Sequence, residues 1–249
     1  MGSIWLAFGG MTESSDDLVR YAFADGIATL RLDDGKANAI SHEMADAIDK
    51  ALDRAESDGA RVVVIGGRPG RFCAGFHLPT MQSGVGEARD LLRVGAELAL
   101  RLYLFPMPVV LAVSGHALAM GAILLMASDV RIGAAGPFKI GLNEVGIGMP
   151  VPKFGTELAD DRLSRRHLDA AVNLATIYDP EGAVEAGFLD VLVEPDQVDD
   201  VAAERAAELA SMIHSLPFTM TRENRRGEAA ARIRAGLQSD IEQFTVADA

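Results

Sequence analysis

Two short segments of this 249-residue chain combine small residues in a way that leaves backbone N–H groups without helical partners. In the first, Ser114-Gly115-His116-Ala117-Leu118-Ala119-Met120-Gly121 runs directly into the apolar stretch Ala122 to Ala127 and ends at Asp129. A small-residue turn at a helix start aims unpaired N–H groups at whatever lies above it. In the second, Phe72-Cys73-Ala74-Gly75-Phe76-His77-Leu78 follows the apolar run Val62-Val63-Val64-Ile65. Two such turns can place one N–H each on a single oxygen. In a water-poor pocket, donors of that kind stabilise an oxygen that becomes negative during a reaction.

Other catalytic patterns fit poorly. Cys73, the only cysteine, has no recognisable His–carboxylate pair around it and reads as a small buried residue. A lone cysteine permits no internal disulfide and fits a reducing cytosol, so a cytoplasmic location is expected. Ser114 has Ala112 where a nucleophile elbow requires glycine. Gly146-Ile147-Gly148 lacks the third glycine and the following helix of a dinucleotide fingerprint. The histidines and carboxylates show no metal-ligand spacing, so no metal is expected.

The elements that must position the two turns follow from periodicity. Leu18 to Leu32 alternates and reads as a strand pair turning at Asp33-Asp34-Gly35. Met44, Ile48, Ala51, Leu52 and Ala55 recur at helical spacing after Ser41, a candidate N-cap, and that helix stops near Gly59. Val62 to Ile65 is a short buried strand, Ala88 to Leu104 a helix, Pro108 to Val113 a strand, Leu118 to Ser128 a helix and Val130 to Ile132 a strand. Repeated strand–helix–strand units predict an α/β core with parallel pairing. From Phe154 on helix signals dominate: Ser164 opens one helix, Asp179-Pro180 another that Gly187 closes, and Val198 to Ile213 and Thr219 to Phe244 follow. The basic residues Arg222, Arg225, Arg226, Arg232 and Arg234 read as a solvated or interface face of the last helix.

Composition excludes several classes. A formal net charge of −13 removes the basic footprint that a phosphate backbone requires, so nucleic acid is not an expected partner. No apolar run reaches the ~18 residues of a membrane span, so no membrane partner is expected either. Hydrophobic residues make up 49%, enough for the core of one large domain. Residues 1–10 read as an N-terminal extension.

Five segments in order give the chain a family likeness. The two turns resemble those of the crotonase (enoyl-CoA hydratase/isomerase) superfamily, as do Lys36-Ala37-Asn38-Ala39, Asp129-Val130-Arg131-Ile132, and Ala183 to Asp190 with its closing Gly187-Phe188-Leu189-Asp190. The resemblance implies a crotonase-like ββα spiral core over residues 11–195, helical from about 153, and an α-helical C-terminal trimerisation region over 196–249. It also implies a homotrimer or hexamer acting on an acyl-CoA thioester, with coenzyme A carried by the substrate and no separate cofactor.

By the same resemblance the N–H groups of Phe76 and Met120 form the oxyanion hole. Ala119-Met120-Gly121 stands where relatives carry three glycines, which raises the question of strain at Met120, since a non-glycine residue tolerates positive φ poorly. Lys36, Ala37, Ala74, Gly75, His77, Gly121 and Ile123 are carried over as substrate-binding positions, although a lone histidine such as His77 or His116 is more often a packing or surface residue. Ile140-Gly141-Leu142-Asn143-Glu144, with Gly148 four residues on and Pro152 beyond, is similar to the Δ3,Δ2-enoyl-CoA isomerases, in which the glutamate is the base. Hydratases of the superfamily use a second glutamate, whose position is Ile123 here. The resemblance therefore points to isomerisation by Glu144 alone, with 2-enoyl-CoA hydration and silent acyl-CoA binding as alternatives.

Overall fold

A computed structural model of the chain describes residues 18–244. The extension expected over residues 1–10 lies outside them. Strands β1 (Val19–Ala24) and β2 (Ile27–Leu32) form a hairpin, but it turns at Asp25-Gly26, both with positive φ, and not at Asp33 to Gly35. Asp-Gly between alternating strands is the stronger hairpin signal. The later acidic turn has another use: the Asp34 carboxylate accepts the N–H groups of Lys36, Asn38 and Ala39, shaping the loop that carries Lys36 and Ala37.

Helix α1 (His42–Ser57) starts where predicted, with the Ser41 hydroxyl accepting the Met44 N–H at 3.2 Å. Then come β3 (Val62–Gly66), β4 (Gly70–Cys73), α2 (Leu78–Ser83), α3 (Val85–Tyr103), β5 (Val109–Val113), β6 (Gly115–Leu118), α4 (Met120–Ala127), β7 (Val130–Ala134) and β8 (Ile140–Gly141). The back half contains α5 (Lys153–Arg162), α6 (Leu168–Val172), α7 (Pro180–Ala186), β9 (Val191–Val193), α8 (Val198–Met212) and α9 (Ser215–Gln243).

The described strands make two sheets. The larger has the order β1-β2-β3-β5-β7-β9 and is parallel throughout except for the β1–β2 hairpin. Every residue of β3 and β5 is buried, as expected of parallel strands covered on both faces. Ala202, Ala206 and Leu209 of α8 close one face over Val62, Val64, Val110 and Ile132. The main core lies on the other face, under α1, α3 and α4. The smaller sheet, β4-β6-β8, is wholly parallel.

Three expectations are corrected. Leu118 belongs to β6 and the helix begins at Met120, because Gly115 to Leu118 pairs with two distant strands that local pattern does not reveal. The back half is not all helical, since β9 returns to the edge of the main sheet beside β7. The arginines of α9 do not share one solvated face: Arg222 is buried, and Arg222 and Arg226 both bind the Asp129 carboxylate, which also accepts the Val109 N–H at 2.8 Å. Such donors around a half-buried carboxylate offset its partial desolvation and lock the end of α4 to α9. Arg131 and Asp190, one from each of two motif segments, form a second, bidentate pair.

Candidate active site

The three strands of the small sheet point the same way, and each ends at a piece of one site. β4 runs out at Gly75-Phe76, β6 at Ala119-Met120, and β8 at Asn143-Glu144. The Ala119 N–H donates to the Gly141 carbonyl at 3.0 Å, fastening the second end to the third. On the other side Ile40 bridges to Phe76: the Ile40 N–H donates to the Gly75 carbonyl and the His77 N–H to the Ile40 carbonyl, both at 2.8 Å. In that pattern the N–H of Phe76 itself points away from Ile40. No acceptor among the described residues takes the N–H of Phe76 or of Met120, the first residue of α4.

Close backbone approach brings the two turns together. Gly75 has φ +106, and a Cβ there would lie 3.0 Å from the Ala119 Cβ and 3.7 Å from the Met120 nitrogen. A Cβ on Gly121 would lie 2.1 Å from the Cys73 carbonyl oxygen, so α4 starts directly against the end of β4. The strain expected at Met120 falls on Ala119, whose φ and ψ are 49° and −119°. That conformation suits glycine and costs an alanine on the order of 1–3 kcal/mol. Met120 itself is helical and buried, its sulfur reaching toward Gly95 of α3, where the Phe76 ring also packs.

A cavity of about 220 Å³ opens over these ends. Ala74, Phe76, Ala119 and Glu144 line it, together with Leu78, Met81, Leu92, Met149, Pro152 and Phe244. Among the described residues, its only polar side chains are those of Asn143 and Glu144. Glu144 is 6% exposed, its Oε2 has no hydrogen-bond partner among the described residues, and burial pushes its carboxyl up to about 7. A group so placed can take or give a proton near neutrality. Its carbonyl accepts the N–H groups of Ile147 (3.0 Å) and Met149 (2.9 Å), which fixes the one-turn helix that follows. A wider depression of about 480 Å³ lies between α1, α3 and α9, but none of the turn residues reaches it.

The remaining predicted positions divide. The Ala37 carbonyl accepts the Ala74 N–H at 3.1 Å, so the loop bearing Lys36 adjoins the cavity wall. Gly121 acts by close packing and does not line the cavity. His77 precedes α2 with its Nδ1 2.9 Å from the Thr80 hydroxyl, and it too stays out of the lining. Ile123 is fully buried against Gly155 of α5 and is likewise not in the wall. His116 accepts the Lys139 N–H, and burial lowers its pKa. The Cys73 thiol is buried and pushed up to about 12, which makes it no nucleophile. Sequence reasoning missed Leu78, Met81, Leu92, Met149 and Phe244. Each is an ordinary apolar residue whose place depends on tertiary packing.

The chain is similar to known proteins in sequence and in fold. The sequence family described as enoyl-CoA hydratase/isomerase matches residues 22–246. Mouse mitochondrial enoyl-CoA delta isomerase 1 is 29% identical over 225 residues, covering 88% of this chain and 77% of that protein. An enoyl-CoA hydratase/isomerase family protein from Pseudomonas syringae superposes with a TM-score of 0.90 at 41% identity, over 93% of this chain and 100% of the other. The apo structure of an enoyl-CoA isomerase from Mycobacterium tuberculosis gives 0.87 at 39% identity, over 92% and 99%.

Proposed function

Because the chain belongs to the enoyl-CoA hydratase/isomerase family, whose members are acyl-CoA enzymes of the crotonase fold, we propose that it moves a double bond from C3 to C2 of an enoyl-CoA, with Glu144 as the single base. One observation carries this reading. Among the described residues Glu144 is the only carboxylate lining the cavity, where Asn143 is the one other polar side chain, and it lies beside two backbone N–H groups without acceptors.

In the proposed reaction the thioester oxygen sits between the N–H groups of Phe76 and Met120. Glu144 takes a proton from C2 of the 3-enoyl group. The C2–H electron pair delocalises toward the thioester oxygen and the double bond, and the two N–H groups hold the resulting dienolate. The Glu144 carboxyl then returns a proton at C4, leaving the double bond between C2 and C3. Apolar walls keep water from competing for the intermediate. The scheme needs no cofactor beyond the coenzyme A of the substrate.

Hydration would require a second group to deliver or activate water. The hydratase position, Ile123, is an alkyl chain buried against Gly155. In deuterated water the protein is expected to convert 3-hexenoyl-CoA to 2-hexenoyl-CoA with deuterium incorporation, much faster than it adds water to crotonyl-CoA. Mass spectrometry of both reactions decides the matter, and faster hydration would overturn the isomerase reading. Assembly into trimers or hexamers belongs to the same proposal and is supported by the exposed apolar side chains Val145, Ile147 and Leu174, of which Ile147 lines the cavity.

The raised pKa of Glu144 sets the pH dependence. A base must start deprotonated, and burial holds the proton on this carboxyl up to about pH 7. Accordingly kcat/KM should be level above that pH and fall about tenfold per unit below it. A pH–rate profile with its acid limb near 4.5 would show that Glu144 is not the group that titrates.

A further inference from the structure

The cavity has a built end. Helix α3 runs along it, and three of its residues mark successive levels. The Phe76 ring and the Met120 sulfur sit at Gly95, Leu92 forms part of the wall, and Arg89 binds the tail of α9. The Arg89 guanidinium donates to the Phe244 carbonyl at 3.2 Å and to the Glu242 carbonyl. A cation on the last carbonyls of a helix satisfies acceptors that lack helical donors. Asp240 supplies a second anchor by accepting the Lys153 N–H at 2.8 Å, one residue past the cavity-lining Pro152. So held, the Phe244 side chain is 5% exposed and lines the cavity.

From Gly95 to Arg89 is six residues, or ~9 Å at the helical rise. An extended alkyl chain advances about 1.25 Å for each C–C bond of about 1.5 Å, so that span takes about seven bonds.

We infer that Phe244, seated by Arg89, is the end wall of the acyl cavity and limits the chain to about eight carbons. Phe244 and Arg89 touch none of the reacting atoms. Arg89 is a positioning residue that acts through Phe244. The inference rests on the acyl-CoA reading above and adds the size class of the substrate.

The test measures binding and turnover separately. Dissociation constants are taken by calorimetry for octanoyl-CoA and palmitoyl-CoA, which are saturated and cannot react. kcat and KM are taken for 3-octenoyl-CoA and 3-hexadecenoyl-CoA. The wild type should favour the eight-carbon chain by at least about tenfold in both binding and kcat/KM, the discrimination an overfilled apolar site provides. Phe244→Ala should remove most of that preference by admitting the longer chain, mainly through KM. Arg89→Ala should act in the same direction and Arg89→Lys should restore part of the preference. Phe244→Trp, which adds bulk where Ala removes it, should move the cut-off to shorter chains. A merely structural role would lower all substrates alike.

An unchanged preference in both Phe244 variants, with circular dichroism showing them folded, would overturn the inference. Equal binding of both lengths by the wild type would do the same. If the length cut-off appears in binding while no chain is isomerised, the wall stands and the proposed reaction fails.

Discussion

Glu144→Gln is expected to lose about 10²–10⁴-fold in kcat on a 3-enoyl-CoA, the usual worth of a general base, while still binding saturated acyl-CoA. It should also be the more stable protein at alkaline pH. The folded-state pKa of Glu144 is raised, to about 7 from an ordinary 4.5, so the fold holds this proton more tightly than the unfolded chain does. A raised carboxyl makes the fold progressively less stable as pH climbs from the lower value to the higher. The penalty is complete above pH 7 and reaches about 3 kcal/mol. Glutamine has no proton to lose and escapes it. Urea unfolding of both proteins from pH 5 to pH 8 checks this: the advantage of the variant should grow with pH and level off. Equal stability at pH 8 would show that burial does not raise this carboxyl, and an unaffected kcat would remove Glu144 from the mechanism.

Gly121→Ala should be the most damaging single-methyl substitution in the site. Its Cβ would lie 2.1 Å from the Cys73 carbonyl oxygen and 2.9 Å from the carbonyl carbon, both backbone atoms that no rotamer change can move. Relief requires α4 to shift away from β4, and we expect a loss of at least about 3 kcal/mol. The same shift separates the turns that carry the N–H groups of Phe76 and Met120. Activity in the fraction that still folds should therefore drop by about 10²–10³, the cost of losing one oxyanion donor. Gly86→Ala is the control. It lies in the first turn of α3, and its added Cβ meets nothing within 4 Å. It should be neutral or gain up to about 1 kcal/mol. Denaturant midpoints for the three proteins, with kcat on one substrate, test the contrast, and a mild Gly121→Ala would show that the two elements are not in close contact.

What could be seen in the sequence was local or carried by family likeness. The Ser41 cap, the Asp179-Pro180 start and the Gly187 stop each depend on a few neighbouring residues, and the helices they bound are where the pattern placed them. The two small-residue turns and the Glu144 segment stood out in the sequence through the family resemblance, and the structure brings all three to one cavity. The small sheet was not legible. β8 has two residues and β6 four, too few for a period, and their partners lie far along the chain. The same holds for Phe244, an unremarkable aromatic after a long helix, and for Arg222 and Arg226, whose half-buried partner Asp129 lies nearly a hundred residues upstream. Strain was expected one residue too late, at Met120, because no pattern distinguishes the residue before a helix from the first residue in it.

The parallel convergence of β4, β6 and β8 makes the site a product of topology, and this governs when it exists. Parallel neighbours cannot be joined by a tight turn, so every pairing in that sheet must await closure of a long loop. Pairings of that kind form late on a folding route and are readily lost from a native one, particularly between strands this short. The parallel pairs of the main sheet share that constraint, but β3, β5 and β7 have five residues each against two in β8, so the small sheet is the weaker of the two. A native molecule that opens only its small sheet has stopped being a catalyst while most of its hydrogen bonds remain intact.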